Sequence, residues 1–291
     1  MENSTETSLR QSKTKVEIEG ILASKKLEVI TDKNGNKGIR GNLVIKVDDT
    51  NSISVKVYVG EKTSKGDINK AWEGINTVMN EYKSIAEVGE AEADRVYTKG
   101  DFETFRNQKN MDVVSYKSNY FNRVKGTFEP KRKFSAEVMI KSVYREIVND
   151  EETGRLRVKG IAPGFNGTIN ILDMVCPVSI EGVPNFADMA ETVFEVGSTF
   201  RVDGDVVNAR VEKKVSAALG KLESDVEYKN ELVITGSSEA YPEETAYNPA
   251  TIELALTEYN TAQENRKNTA NDDVPFDKKP TAEGSGRSLK F

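Results

Sequence analysis

The chain has 291 residues, room for two ordinary domains and a terminal segment, with 37% hydrophobic and 30% charged residues and a net charge of −6. It contains no histidine and one cysteine, Cys176. That removes the commonest general base, the commonest metal ligand, zinc sites of several cysteines and any internal disulfide, while leaving carboxylate-held magnesium open.

Residues 1 to 14 are polar and aperiodic, and the stretch Met1 to Thr7 lacks the order of a secretion signal. Val16, Ile18, Gly20 and Leu22 then alternate with polar neighbours, the period of a half-buried strand, and Gly20 marks a bulge where that strand bends. The strand resumes at Leu27 and Val29 and turns at Asp32-Lys33-Asn34-Gly35, where Asn-Gly supplies the positive φ of a tight hairpin. Strands follow at Gly38 to Val47 and Ser52 to Val59. From Asp67, read as an N-cap, the period lengthens. Ile68, Ala71, Trp72, Ile75, Val78, Met79, Tyr82 and Ile85 recur at helical steps, with Trp72 assigned to the core rather than to base stacking. Val96-Tyr97 opens a fourth strand and Phe102 to Gln108 forms a fifth. A short β segment at Val113 to Val124 follows, and Phe128-Glu129-Pro130-Lys131-Arg132-Lys133 reads as a join.

The same order then recurs. Phe134, Ala136, Val138 and Ile140 alternate, a hairpin turns at Asn149 to Gly154, and Arg155, Arg157 and Lys159 alternate with Leu156 and Val158. Thr168 to Val175 is a strand, Pro184 to Phe194 a helix, and Thr199 to Val211 a closing pair. Glu87-Val88-Gly89 and Gly100-Asp101 in the first copy match Glu195-Val196-Gly197 and Gly204-Asp205 in the second. The expected fold is therefore mainly β with α: two tandem five-stranded barrels of the oligonucleotide/oligosaccharide-binding (OB) type, each with one helix between strands 3 and 4. The boundaries read are 15–126 and 134–212 for the barrels, 213–260 for an extension containing a strand at Glu231 to Thr235 and a short helix at Thr251 to Asn260, and 261–291 for a disordered, acidic-aromatic tail. No run of 18 apolar residues is present, so no membrane-spanning helix is expected, and the expected compartment is the cytoplasm.

The net charge conceals a division. Residues 101 to 146 carry ten Lys/Arg against six Asp/Glu and eight of the 22 aromatics, whereas 213 to 260 carry four against nine. A barrel that holds single strands needs cations along the phosphates and rings against the bases, each ring contributing roughly 1–3 kcal/mol. The candidate DNA-binding residues are Arg40, Phe105, Arg106, Tyr116, Lys117, Tyr120, Phe121, Arg123, Lys125, Lys131, Arg132, Lys133, Arg155, Arg157 and Lys159. Arg155 and Arg157 are expected on phosphate, and at least one of Tyr120 and Phe121 is expected to face outward. The barrels are expected side by side, forming one groove.

Asp272, Asp273, Val274, Pro275 and Phe276, after Asn271, resemble the tail of bacterial and phage single-stranded-DNA-binding proteins, in which acidic residues precede an apolar, a proline and a phenylalanine. The departure is that fifteen residues follow Phe276, and Phe291 at the end lacks acidic neighbours. Residues 15 to 276, including Glu231 to Gly236, resemble in layout the single-stranded-DNA-binding proteins of phages of Gram-positive hosts. The resemblance implies sequence-nonspecific binding and protection of single-stranded DNA in replication and recombination, with the tail recruiting partner proteins. No cofactor, metal or catalytic residue is expected, and the oligomeric state is not legible. Two rivals stay open: an adaptor using its barrels to bind protein, and a magnesium enzyme of nucleic-acid metabolism using Asp203 and Asp205 or Asp272 and Asp273. A Gly-x-x-x-x-Gly-Lys loop for ATP is absent.

Overall fold

Residues Thr14–Thr31 form one 18-residue strand, β1, in a computed structural model that describes residues 9–107, 111–214 and 224–272. A turn with Gly35 at φ +81° leads into β2 (Lys37–Lys46), and β3 (Ser52–Gly60) follows. The helix α1 (Lys70–Glu81) starts later than expected. Its N-cap is Asn69, whose side chain accepts from the Ala71 N–H at 3.0 Å, so Ile68 lies outside the helix and is exposed. Ala71, Ile75 and Val78 enter the core and Trp72 packs at its edge, as its helical spacing predicts. A single turn of helix, α2 (Ile85–Val88), precedes β4 (Arg95–Arg106). The fourth and fifth expected strands are thus one strand. The ring's fifth member is β5 (Asp112–Lys117), and β6 (Phe121–Arg123) is a short addition at the edge of β4.

The second half repeats the pattern with β7 (Lys131–Val148), β8 (Glu151–Pro163), β9 (Ile169–Cys176), the helix α3 (Phe186–Val193), β10 (Thr199–Lys214) and β11 (Ser224–Ser237). Asn149 and Asp150, at φ 52° and 63°, make the two-residue turn between β7 and β8. Three expectations change here. Lys131-Arg132-Lys133 is the start of β7 and not a join. The expected closing pair at Thr199 to Val211 is one strand. Its partner is β11, read from sequence as an extension, so the second set of strands runs to Ser237 rather than stopping at 212. Asp203-Gly204-Asp205 lies within β10 at a register shift. The last helix, α4 (Pro249–Asp272), continues twelve residues past Asn260. Among the described residues no helix is long and apolar enough to cross a membrane.

Pairing closes each half on itself. One ring runs β1-β2-β3-β5-β4 and back to β1; the other runs β7-β8-β9-β11-β10 and back to β7. In each, the third and fifth strands are parallel, with Val55 opposite Tyr116 and Met174 opposite Leu232. The rings are joined because β1 and β7 also pair with each other, Val16 opposite Phe134 and Glu19 opposite Lys131. Gly100 lies opposite Val16, and Gly204 opposite Phe134. The two Gly-Asp pairs read from the sequence therefore occupy equivalent places. A Cβ at Gly100 would lie 2.1 Å from the Lys117 carbonyl oxygen, and one at Gly204 2.0 Å from that of Val233. Only glycine lets β4 approach β5, and β10 approach β11, that closely. The expected bulge in β1 falls between Leu22 and Ser24, just beyond Gly20.

Two polar clasps lock the rings at their flanks. Asn170 Oδ1 accepts from the Thr104 N–H at 2.9 Å, and Thr104 Oγ1 from the Ile171 N–H at 3.0 Å. On the other flank Asn51 Oδ1 accepts from the Asn208 N–H at 3.2 Å, and the Thr50 carbonyl from the Arg210 N–H at 3.0 Å. Asp48 positions Asn51 by accepting from its N–H at 2.7 Å and from its side-chain amide at 2.9 Å. Partial burial alone would raise the Asp48 carboxyl, but the hydrogen bonds from Asn51 and Thr50 outweigh it and hold the group down at about 2. The helix α4 closes a second apolar cluster in which Tyr247 and Ile252 meet Met139, Ile161, Ile169 and Ile171.

Gly204→Ala is expected to destabilise the fold by about 1–3 kcal/mol, the usual cost of overpacking, whereas Gly236→Ala, with open space at its Cβ, changes little; urea denaturation of both variants checks this. Because the Asp48 carboxyl is depressed when folded, its contribution is present above pH 4 and fades as pH falls toward 2. The wild type should melt higher than Asp48→Asn at pH 7, and that gap should shrink below pH 4. A gap independent of pH would contradict the assignment.

Candidate nucleic-acid interface

Strict alternation in β3 buries Ile53, Val55, Val57 and Val59 and turns Ser54, Lys56 and Tyr58 outward. The outward row continues across the neighbouring strands. Arg40 lies opposite Tyr58, Asn42 opposite Lys56, and Lys26 opposite Asn42. On the other side of β3, Lys56 lies opposite Lys117, which in turn faces Asp101. These positions line an open trough of about 1260 Å³ on the first ring. Its cations are Lys26, Arg40, Lys56, Lys99 and Lys117, against Glu28, Asp101 and Glu103.

Two tyrosines stand in this trough, Tyr58 at 68% and Tyr120 at 65% exposure. The backbone holds both. Asn119 Oδ1 accepts from the Tyr58 N–H at 3.2 Å, while the Tyr120 carbonyl accepts from Thr98 Oγ1 at 2.7 Å. Phe105, 42% exposed, adds a third ring beside the trough, with Lys56 Nζ 4.7 Å from its centroid. Gly41, at φ +147°, sits where a Cβ would be 1.9 Å from the Lys26 carbonyl oxygen, so β1 and β2 approach here only around a glycine. Arg40 Nε bonds Glu28 at 2.7 Å and Lys117 Nζ approaches Glu103 at 3.3 Å. Both pairs are largely solvent-exposed and therefore weak enough to yield to an incoming phosphate.

Of the residues singled out from sequence, Arg40, Lys117 and Tyr120 line this trough and Phe105 stands beside it. The outward place falls to Tyr120, while Phe121 is buried. Tyr116 is also buried, with its hydroxyl pushed well above the ordinary range by burial. A regular strand would put Tyr116 and Tyr120 on one side, but β5 ends at Lys117 and the intervening turn breaks the alternation. Arg106 pairs with Asp112 at 3.1 Å and bonds Asn260 at 3.2 Å, and it lies over the Tyr259 ring, anchoring α4. Arg123 holds Asp94 and the Glu81 carbonyl and covers the Tyr82 ring. Lys131 meets Glu19 and Glu129, Arg132 donates to the Val206 carbonyl at 3.0 Å, and Lys133 pairs with Asp205 at 2.7 Å. Lys125 is exposed beyond β6.

Arg155 and Arg157 are on the second ring and pair with acids. Arg155 reaches Glu231 at 2.6 Å and Glu146 at 3.2 Å, while Arg157 Nε reaches Glu146 at 2.7 Å and Nη2 reaches Glu231 at 3.2 Å. Lys159 sits beside Asp173 on the same face. Burial would raise the Glu146 carboxyl, yet the hydrogen bonds from Thr153 and Arg157 hold it below its ordinary value. Burial dominates at Asp173 and pushes it up. Asp272 is the last residue of α4, and Asp273, Val274, Pro275 and Phe276 lie outside the described residues. Among the described residues no group of three carboxylates or other ligands is placed to hold a metal. Sequence reasoning missed Tyr58, Lys56, Lys26 and Lys99. The signal for the first two was available, since they have the opposite parity to four consecutive alternating β-branched residues.

A family model described as YorF matches residues 13–269. Among solved structures the chain is similar to the wild-type single-stranded DNA binding protein from Thermus aquaticus, with 9% sequence identity and a TM-score of 0.50, over 80% of this chain and 95% of that one. A deletion mutant of the same Thermus aquaticus protein aligns with 10% identity and a TM-score of 0.47, covering 80% and 98%. At this identity the likeness is one of fold, mainly β with few helices. No curated protein matches the sequence.

Proposed function

We propose that this chain, which belongs to the YorF family, binds single-stranded DNA without sequence choice and does so on the trough of its first ring. The observation that carries the reading is the pair of outward rings, Tyr58 and Tyr120, standing among Lys26, Arg40, Lys56, Lys99 and Lys117, with Phe105 beside them against Lys56. Bases stack on faces of this kind whatever their identity, and the ammonium and guanidinium groups follow the phosphates between them. No hydrogen-bonding pocket deep enough to read one base edge is required. The fold likeness to a single-stranded DNA binding protein supports the same class.

We read the two closed rings as tandem OB-type barrels, each with its helix between the third and fourth strands. In this reading the protein covers and protects single strands in the cytoplasm, or in the host cytoplasm for a phage protein, during replication and recombination. The segment Asp272 to Phe276 recruits partner proteins through one aromatic and its acidic neighbours. Catalysis has no part in it.

Fluorescence anisotropy with labelled oligo-dT tests the site. Tyr58→Ala and Tyr120→Ala should each weaken binding by about five- to a hundredfold, since a stacked ring contributes roughly 1–3 kcal/mol. Lys56→Gln and Lys117→Gln should each flatten the salt dependence by about 0.7 in log–log slope. Folded variants that bind like wild type would remove these residues from the site. A wild-type chain that ignores oligo-dT at low salt would leave the adaptor reading in its place.

A further inference from the structure

From the junction as far as Lys26 and Tyr144 the register is the same in both rings, each with one shift early in its long strand, so these positions have counterparts; β7 then shifts once more between Arg145 and Ile147. The row Lys26–Asn42–Lys56–Lys117–Asp101 across the first ring corresponds to Tyr144–Arg157–Val175–Val233–Asp205 across the second. The second face has valines in place of Lys56 and Lys117, yet it still presents one ring and three cations. Tyr144, 47% exposed, lies directly opposite Arg157, and Arg155 and Lys159 lie two residues to either side on the same strand.

A second difference is that the guanidinium groups are already in use. Glu146 and Glu231, whose side chains are 7% and 9% exposed, each contact both Arg155 and Arg157. Asp173, 3.7 Å from Arg157, and Lys229, 3.4 Å from Glu231, extend the cluster, so three positive and three negative charges cancel around a fully buried Val175. A carboxylate and a phosphodiester offer a guanidinium the same pair of acceptor oxygens. The glutamates are therefore placed where phosphates would otherwise sit. They are also buried, unlike the exposed Arg40–Glu28 pair of the first ring, and removing one partner from such a cluster is costly.

We infer that the second ring carries a latent site for nucleic-acid phosphate, closed in the native protein by its own Glu146 and Glu231, so that single-stranded DNA occupies the first ring alone. The inference rests on the first ring being the DNA site, and the test separates the two. With the full chain, oligo-dT of about 10 and about 30 nucleotides is titrated at several salt concentrations, lengths chosen to span one and then two OB-sized sites.

Glu146→Gln with Glu231→Gln keeps shape and an acceptor oxygen but removes two of the negative charges that neutralise Arg155 and Arg157, leaving Asp173 beside Arg157. It should steepen the salt dependence for the longer strand by about 1.4 in slope, two phosphates' worth, and tighten that complex several-fold. The shorter strand should bind as before. In the otherwise native chain, Arg155→Gln should leave DNA affinity unchanged, whereas Lys56→Gln weakens it. Circular dichroism and a cooperative melt establish that each variant folds; if the double variant does not, Glu231→Gln alone gives the same reading at half the slope change. A folded glutamine variant with an unaltered slope, or a folded Arg155→Gln variant that loses affinity, overturns the inference. If the wild type binds no DNA, the first-ring reading fails on its own; DNA binding gained by the glutamine variant would then still support the latent site, and its absence would refute it.

Discussion

The antiparallel ladder between the first strand and its counterpart in the second half is the interaction on which the rest depends. Each of these strands is 18 residues long and serves three neighbours: its own hairpin partner, the strand that closes its ring, and the other ring. Backbone groups at the junction are satisfied within the sheet, so neither ring leaves this edge open to solvent. The row Gly100–Val16–Phe134–Gly204 runs across the junction, with a glycine at each end where a further strand presses in. One geometry thus fixes the position of both rings and the direction in which the outward face of the first points.

Charge is organised by the same frame. A chain with a net charge of −6 can still present a basic face because its acids are spent locally. Glu137, 2% exposed, is held by Arg10, and Glu19 by Lys131 and the Glu129 N–H. Glu146 and Glu231 neutralise two arginines on the second ring. Surface potential follows where pairs lie and how exposed they are, and a sum over the sequence contains neither.

Much of the fold was legible because it rests on local rules. Alternation at Val16 to Leu22 and again at Phe134 to Ile140 marked the two long strands, Asn34-Gly35 marked a turn, and the repeated Gly-Asp marked equivalent places. What failed were boundaries set by non-local pairing. The strand Ser224–Ser237 closes the second ring because it pairs with Asp203 and its neighbours, a contact that nothing in its own composition announces. The site was legible only in part for the same reason. Arg155 and Arg157 have the spacing of a phosphate-binding face, but Glu231, more than seventy residues away, decides their role. Tyr116 and Phe121 were offered as stacking rings and are buried instead, since periodicity tells which residues share a side but not which side is inside.

The double clasp beside the central ladder has a mechanical consequence. Adjacent domains linked by a peptide alone ordinarily reorient, but here backbone hydrogen bonds cross the boundary in the middle, and Thr104 with Asn170 and Asn51 with Asn208 cross it on either flank. Three separated attachments cannot all be preserved while one half swivels against the other. The two halves are thereby fastened as one body, so the curvature of the outer surface is set before anything meets it, and the ordering entropy of any bound chain would fall on that chain rather than on the protein.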